Sequence, residues 1–97
     1  MTSKQRAYLI SLASKEPTIL YVGKGSLTPE LSRNVDEALT ARELIKIGLQ
    51  QNCPDDPDTL ARTIAERAQA HLVQRVGKKI VLYRENKERK KRIELPH

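Results

Sequence analysis

The sequence predicts an α/β fold, a two-layer sandwich of a four-stranded mixed sheet and three helices in the order α-β-α-β-α-β-β. Three observations lead there. Segments of helical and strand period alternate along the first two thirds of the chain, and each of the first two strand-like runs precedes a capped helix. The last two strand-like runs are separated only by Gly77-Lys78, the spacing of a hairpin. Alternating units favour parallel pairing through each helix, and the hairpin then adds an antiparallel pair.

Each element has a local cause. Thr2 or Ser3 caps a first helix running to about Lys15, with Tyr8, Leu9, Leu12 and Ala13 at helical spacing, and Pro17 closes it. Thr18 to Val22, bounded by Pro17 and Gly23, is rich in β-branched and aromatic residues and reads as a short strand. Thr28 then caps a second helix with Pro29 at its first position, Glu30 complementing the dipole, and Leu31, Val35, Ala38 and Leu39 on one face. Glu43 to Leu49 is the second strand, with Ile45, Ile47 and Leu49 on one face and Leu44, Lys46 and Gly48 on the other. Asp56 and Pro57 open a third helix that carries Leu60, Ala61, Ile64, Ala65 and Ala68 inward and sets Arg62 and Glu66 as an outer i, i+4 pair. His71 to Val76 and Lys79 to Arg84 form the hairpin, whose tip is basic.

Length and composition narrow the function. Residues 1–97 fit one domain with a single core, too small for a cofactor domain plus a substrate domain, with a basic extension from about residue 85 to 97. No apolar stretch is long enough to cross a bilayer, and the first residues lack a signal-peptide core. Cys53 is the only cysteine, which excludes an internal disulfide and a thiolate zinc cluster and suits a reducing compartment. A cytoplasmic location is therefore expected, with no membrane partner. The formal net charge is +6, from 18 Lys and Arg against 12 Asp and Glu, and the window from Arg75 to Arg92 holds nearly all the excess. Such a basic zone on an otherwise balanced chain predicts a polyanionic partner, nucleic acid before membrane. A solvated tail that only aids solubility is the bland reading of Lys87 to Arg92.

Gly23-Lys24-Gly25-Ser26 lies between the first strand and the second helix. Glycines there permit positive φ and close backbone approach, exposed N–H groups attract an anion, and Lys24 adds a full charge, so the loop is suited to phosphate. Two kinds of phosphate compete. A dinucleotide site has Gly23-x-Gly25 and an acid, Glu43, about twenty residues on, but Thr28 stands at the third glycine position and Glu43 precedes its strand. A P-loop fits worse, since Thr18 and Gly25 stand where a glycine and a hydroxyl are needed. Nucleic-acid backbone fits better, because Lys78 and Lys79 occupy a second turn and Lys46 projects from the sheet, points that can line one face. An ordinary polar turn is the plain alternative for each.

Other chemistry is thin. Cys53 and His71 have no third group to complete a nucleophile and base, and Asp55, Asp56 and Asp58 lack a calcium-loop pattern and coincide with a helix start. Asp36 and Glu37 read as solvated. Tyr8, Tyr21 and Tyr83 are the only aromatics, each within an apolar run that suits a core role. Recognition is thus expected to rest on backbone and shape, as in structured RNA, not on base stacking.

Taken in order, Lys4-Gln5-Arg6, Val22-Gly23-Lys24-Gly25, Leu27-Thr28, Ala41-Arg42-Glu43-Leu44-Ile45-Lys46, Val73-Gln74-Arg75-Val76-Gly77-Lys78, Ile80-Val81-Leu82-Tyr83-Arg84 and Ile93-Glu94-Leu95-Pro96 resemble one family. It is the CRM domain, found as single-domain YhbY-type bacterial proteins and in chloroplast RNA splicing and ribosome maturation factors. The resemblance implies a fold similar to the C-terminal domain of translation initiation factor three. It also implies a non-enzymatic RNA-binding protein, without cofactor or small-molecule substrate, that associates with ribosomal RNA in large-subunit precursors. The family's GxxG loop, which contacts RNA, maps onto Gly23, Lys24, Gly25 and Ser26, with Ser26 departing at the fourth position. The expected RNA-binding residues are these four with Lys78, Lys79 and Arg84, followed by Lys4, Arg6 and Lys46. The competing readings are a protein-interaction adaptor with a basic tail and a nucleotide-binding enzyme.

Overall fold

The computed structural model describes residues 1–89 and 92–96. Its elements are α1 (Ser3–Ala13), β1 (Leu20–Val22), α2 (Pro29–Arg42), β2 (Leu44–Leu49), α3 (Pro57–Ala68), β3 (His71–Val76) and β4 (Lys79–Tyr83). The order is the expected one, and the caps explain it. Thr2 and Gln5 close a capping box on α1, Thr28 accepts from the Leu31 N–H ahead of Pro29, and Asp56 accepts from the Thr59 N–H ahead of Pro57.

The strands form one sheet in the order β1-β2-β4-β3. β1 and β2 are parallel, and β4 runs antiparallel to both β2 and β3. One expectation changes here. β3 runs in the same direction as β2 but does not pair with it, because β4 lies between them. Burial accounts for the choice: Ile80, Val81, Leu82 and Tyr83 are all buried, whereas β3 carries His71, Gln74 and Arg75, residues suited to an edge.

Core residues divide between the two faces of the sheet. α2 and α3 cover one face, packing Val35, Leu39, Leu60, Ala61 and Ile64 against Val22, Ile45, Ile47, Ile80 and Leu82. On the reverse face, Leu9 and Ala13 of α1 meet Leu44, Val73, Val81 and Tyr83, joined by Ile93 and Leu95 of the C-terminal segment. α1 is thus a partial cover. It shields the Leu44–Tyr83 end of that face and leaves the row Tyr21, Gly48, Lys79 and Val76 beyond it, where Tyr21 is 54% and Val76 60% exposed.

Several local expectations shift. α1 ends at Ala13, β1 begins only at Leu20, and Glu43 is the cap between α2 and β2, with φ 63°. The Glu43 side chain is fully buried. Its carboxylate accepts from the Asn86 N–H at 2.9 Å, the Ile93 N–H at 2.8 Å and the Arg89 guanidinium at 3.0 Å. This carboxylate anchors the segment after β4, so the described part of the basic extension is docked, and it has no access to a ribose. Lys90, Lys91 and His97 lie outside the described residues. The Arg62–Glu66 pair is not among the ion pairs of the described residues; Arg62 Nε donates to the Asp58 carbonyl instead.

Candidate functional site

The two bends carrying lysines lie at the same end of the sheet. Val22 is level with Leu49 across the parallel pair, and the Gln50 N–H donates to the Val22 carbonyl at 2.8 Å, which places Gly23 beside Gln50. On the other flank of β2, the Leu49 N–H donates to the Lys78 carbonyl at 2.7 Å. Gly23 and Lys78 are therefore two strand positions apart, about 10 Å at ordinary strand spacing. Gly77 makes the second bend possible: its φ of 55° at the first turn position, with Lys78 outside the positive region, is the glycine-first pattern of a tight hairpin.

The first bend differs from expectation in its backbone. Neither Gly23 nor Gly25 has positive φ; Ser26 does, at 57°. The Ser26 N–H donates to the Gly23 carbonyl at 3.0 Å, closing a turn with Lys24 and Gly25 at its tip, and the Ser26 hydroxyl donates to the Asp55 carboxylate. That contact supports serine where glycine would meet less strain. It also commits the hydroxyl internally, so what the turn presents outward is the exposed Lys24 side chain and the Lys24 and Gly25 N–H groups, which have no acceptor among the described residues. Asp55 and Asp56 make the α3 side of the bend acidic, with the Asp56 carboxyl held below its usual range first by the Thr59 backbone N–H and then by the Thr59 hydroxyl.

Four of the arginines are engaged inside the molecule. Among the described residues the ion pairs are Arg75–Asp58 at 2.7 Å, Arg84–Asp36 at 2.8 Å, Arg89–Glu43 at 3.0 Å and Arg92–Glu85 at 2.5 Å. Lys24, Lys46 and Lys78 are in none of them. Arg84 also donates to the Ala68 carbonyl, the Asp36 carbonyl and the Thr40 hydroxyl, tying the Tyr83 end of β4 to α2 and α3; the Asp36 side chain stays exposed and is an ion-pair partner as well. Arg6 donates to the carbonyls of Leu72 and Val73 at 2.8 and 2.7 Å, where a bulge breaks the β3–β4 ladder. Lys4 is exposed on the first turn of α1, next to Gln5, which holds the Pro96 carbonyl. Lys46 is half-buried on β2, on the reverse face between Leu44 under α1 and Gly48, which lies beyond α1. The structure thus brings Lys24, Lys78 and Lys79 together, with Lys46 at the margin, and sets Lys4, Arg6 and Arg84 apart.

Two tyrosines leave their expected core role. Tyr83 is buried, stacks on His71 at 6.3 Å between ring centroids, and has its phenol pKa raised chiefly by that burial. Tyr8 and Tyr21 are exposed: Leu9 and Ala13 are the buried positions of α1, which leaves Tyr8 outside, and the face to which Tyr21 alternates is the one α1 covers only in part. Gly48 lets the Tyr21 ring lie across it: a Cβ there would stand 2.9 Å from the ring. Over the same glycine, Lys79 places its ammonium 5.4 Å from the ring centroid and donates to the Thr18 hydroxyl at 3.1 Å. Beside Tyr21, Leu49, Gln50, Gln51 and Asn52 line a shallow open groove next to the Lys24 turn. Sequence reasoning passed over this groove, although the amide run directly after β2 was a visible signal. Cys53 and His71 lie near opposite ends of the sheet and form no pair, since Cys53 follows Leu49 whereas His71 faces Tyr83.

Known proteins resemble this chain along nearly its whole length. The chain is 43% identical over 96 residues to the protein of Bacillus subtilis (strain 168) named Probable RNA-binding protein YqeI, covering 99% of each. It is 29% identical over 96 residues to a Haemophilus influenzae protein named RNA-binding protein, covering 99% of this chain and 95% of that one. The solution structure of SAV1595 from Staphylococcus aureus superposes with a TM-score of 0.82 at 45% identity, over 99% of both chains. Residues 1–84 match the CRS1 / YhbY (CRM) domain, and the chain belongs to that family.

Proposed function

We propose that this protein is a non-enzymatic, cytoplasmic RNA-binding protein that docks folded ribosomal RNA during assembly of the large ribosomal subunit. One observation carries the reading: at one end of the sheet, Lys24 and Lys78 extend from adjoining bends without a carboxylate partner among the described residues, and among these Lys79 is held only by a hydroxyl and a ring. Ammonium groups so placed bind phosphate by releasing counterions, at little cost in broken internal contacts. The free N–H groups of Lys24 and Gly25 add directed donors. Relatives named RNA-binding proteins support the class of partner.

The adaptor reading loses ground because the described tail is folded back, with Arg89 on Glu43 and Arg92 on Glu85. Crosslinking in cells, followed by sequencing of the attached RNA, tests the proposal. Enrichment of large-subunit ribosomal RNA and its precursors is the expected result. Recovery of protein crosslinks without RNA would overturn it, and recovery of other RNAs would overturn the ribosomal part alone.

A further inference from the structure

We infer that the groove beside the Lys24 turn is a nucleobase site, in which one unpaired base of a bound RNA stacks on Tyr21 and presents its edge to the amides of Gln50, Gln51 and Asn52. The inference rests on the RNA-binding reading and adds to it a chemistry that backbone and shape recognition lacks. Tyr21 is the exposed aromatic at the lysine end of the sheet, 54% accessible, and its position on Gly48 keeps the ring against the sheet. Exposed rings on a sheet surface, flanked by cations, bind unpaired bases because every base has a π face.

The groove's polar groups suit that ligand. Gln50, Gln51 and Asn52 are exposed, and each carries a neutral donor and acceptor, the complement of a base edge. A phosphate alone would be better met by charge, and charge stands on either side instead: Lys24 on the turn after β1, Lys78 and Lys79 at the start of β4. Bases and phosphates alternate along a strand in the same way. Lys79 also has an exchange to make. Its ammonium occupies the ring through a cation–π contact and one hydroxyl hydrogen bond, both replaceable by a phosphate oxygen. Moving to phosphate, it gives up the ring to the base.

The test compares two labelled RNAs of one sequence family, a hairpin with an unpaired loop and a blunt duplex of the same stem, with a third hairpin carrying abasic riboses in its loop. Tyr21→Leu is expected to weaken binding of the unpaired-loop hairpin by about tenfold and to leave the duplex and the abasic hairpin unchanged. Tyr21→Phe keeps the stacking surface and is expected to restore wild-type affinity. Gln50→Ala with Asn52→Ala, on the groove's other wall, should reduce discrimination among loop bases while the thermal midpoint stays put. Equal affinity of wild type and Tyr21→Leu for the unpaired loop, with wild type binding all three RNAs, would overturn the base site and leave the RNA-binding reading standing. Equal losses on loop and duplex would also overturn it. Failure of the wild type to bind any of them would overturn both.

Discussion

The two ends of the sheet spend their positive charge in opposite ways. At the end where Leu44 faces Tyr83, two guanidinium groups are used inside the molecule: Arg84 bridges α2 and α3, and Arg89 meets the buried Glu43. Where Leu49 meets Lys78, one guanidinium, Arg75, holds Asp58 and the Gly77 carbonyl, whereas the ammonium groups of Lys24, Lys78 and Lys79 have little or nothing to hold among the described residues. Arginine's planar fork suits several fixed acceptors at once, whereas a hydrated lysine loses little by staying in solvent. A basic sequence window is therefore not a basic surface. The stretch from Arg75 to Arg92 holds most of the excess charge, yet a large part of it is structural, and the proposed RNA face takes from it Lys78 and Lys79 and adds Lys24, more than fifty residues earlier.

The largest expected effect breaks the arginine end. Glu43→Ala leaves two backbone N–H groups without their acceptor and Arg89 with the Arg42 carbonyl but no counter-charge, and stability should fall by about 3 kcal/mol, read as a drop of roughly 15 °C in Tm. Below that midpoint the variant should still bind RNA, because the lysine end is untouched. Arg84→Ala, which strips four acceptors of their donor, should likewise lower the urea midpoint while leaving the salt dependence of RNA binding as it was. Loss of salt dependence in that variant would show that Arg84 belongs to the RNA face.

A smaller effect sharpens the lysine end. Asp55→Ala removes a carboxylate beside the Lys24 turn and frees the Ser26 hydroxyl, so affinity for RNA should rise severalfold at low salt and converge on wild type at high salt. The smallest effect is a pH dependence. Tyr83 has a folded pKa raised above its ordinary value of 10.0, so its contribution to stability is complete below pH 10 and is lost as pH rises through the folded value. Chemical denaturation across that range should show the decline in wild type and less of it in Tyr83→Phe.

Local signals made most of the fold legible. Thr28-Pro29 and Asp56-Pro57 mark two helix starts to the residue, and Gly77-Lys78 marks the hairpin, because caps and turns depend on neighbours in sequence. Strand order was less legible: it depends on β4 being apolar on both faces, which becomes decisive only once α1 covers part of the second face. Nothing nearby signals that Glu43 and Ser26 carry positive φ, since both are stabilised by distant partners, Ile93 and Asp55. The same distance hides which cations are engaged; Arg84 finds Asp36, forty-eight positions away. Tyr21 was half legible. Alternation with Leu20 and Val22 turns it to the other face, but only the placement of α1 shows that face to be open.

The most direct test is the salt dependence of binding to a folded large-subunit ribosomal RNA fragment, for wild type and for Lys24→Ala with Lys78→Ala and Lys79→Ala. Loss of three phosphate contacts should lower the slope of log K against log salt by about 2 and the affinity at low salt by more than about tenfold. An unchanged slope and affinity, in a variant that keeps the wild-type Tm, would contradict the lysine end as the docking face.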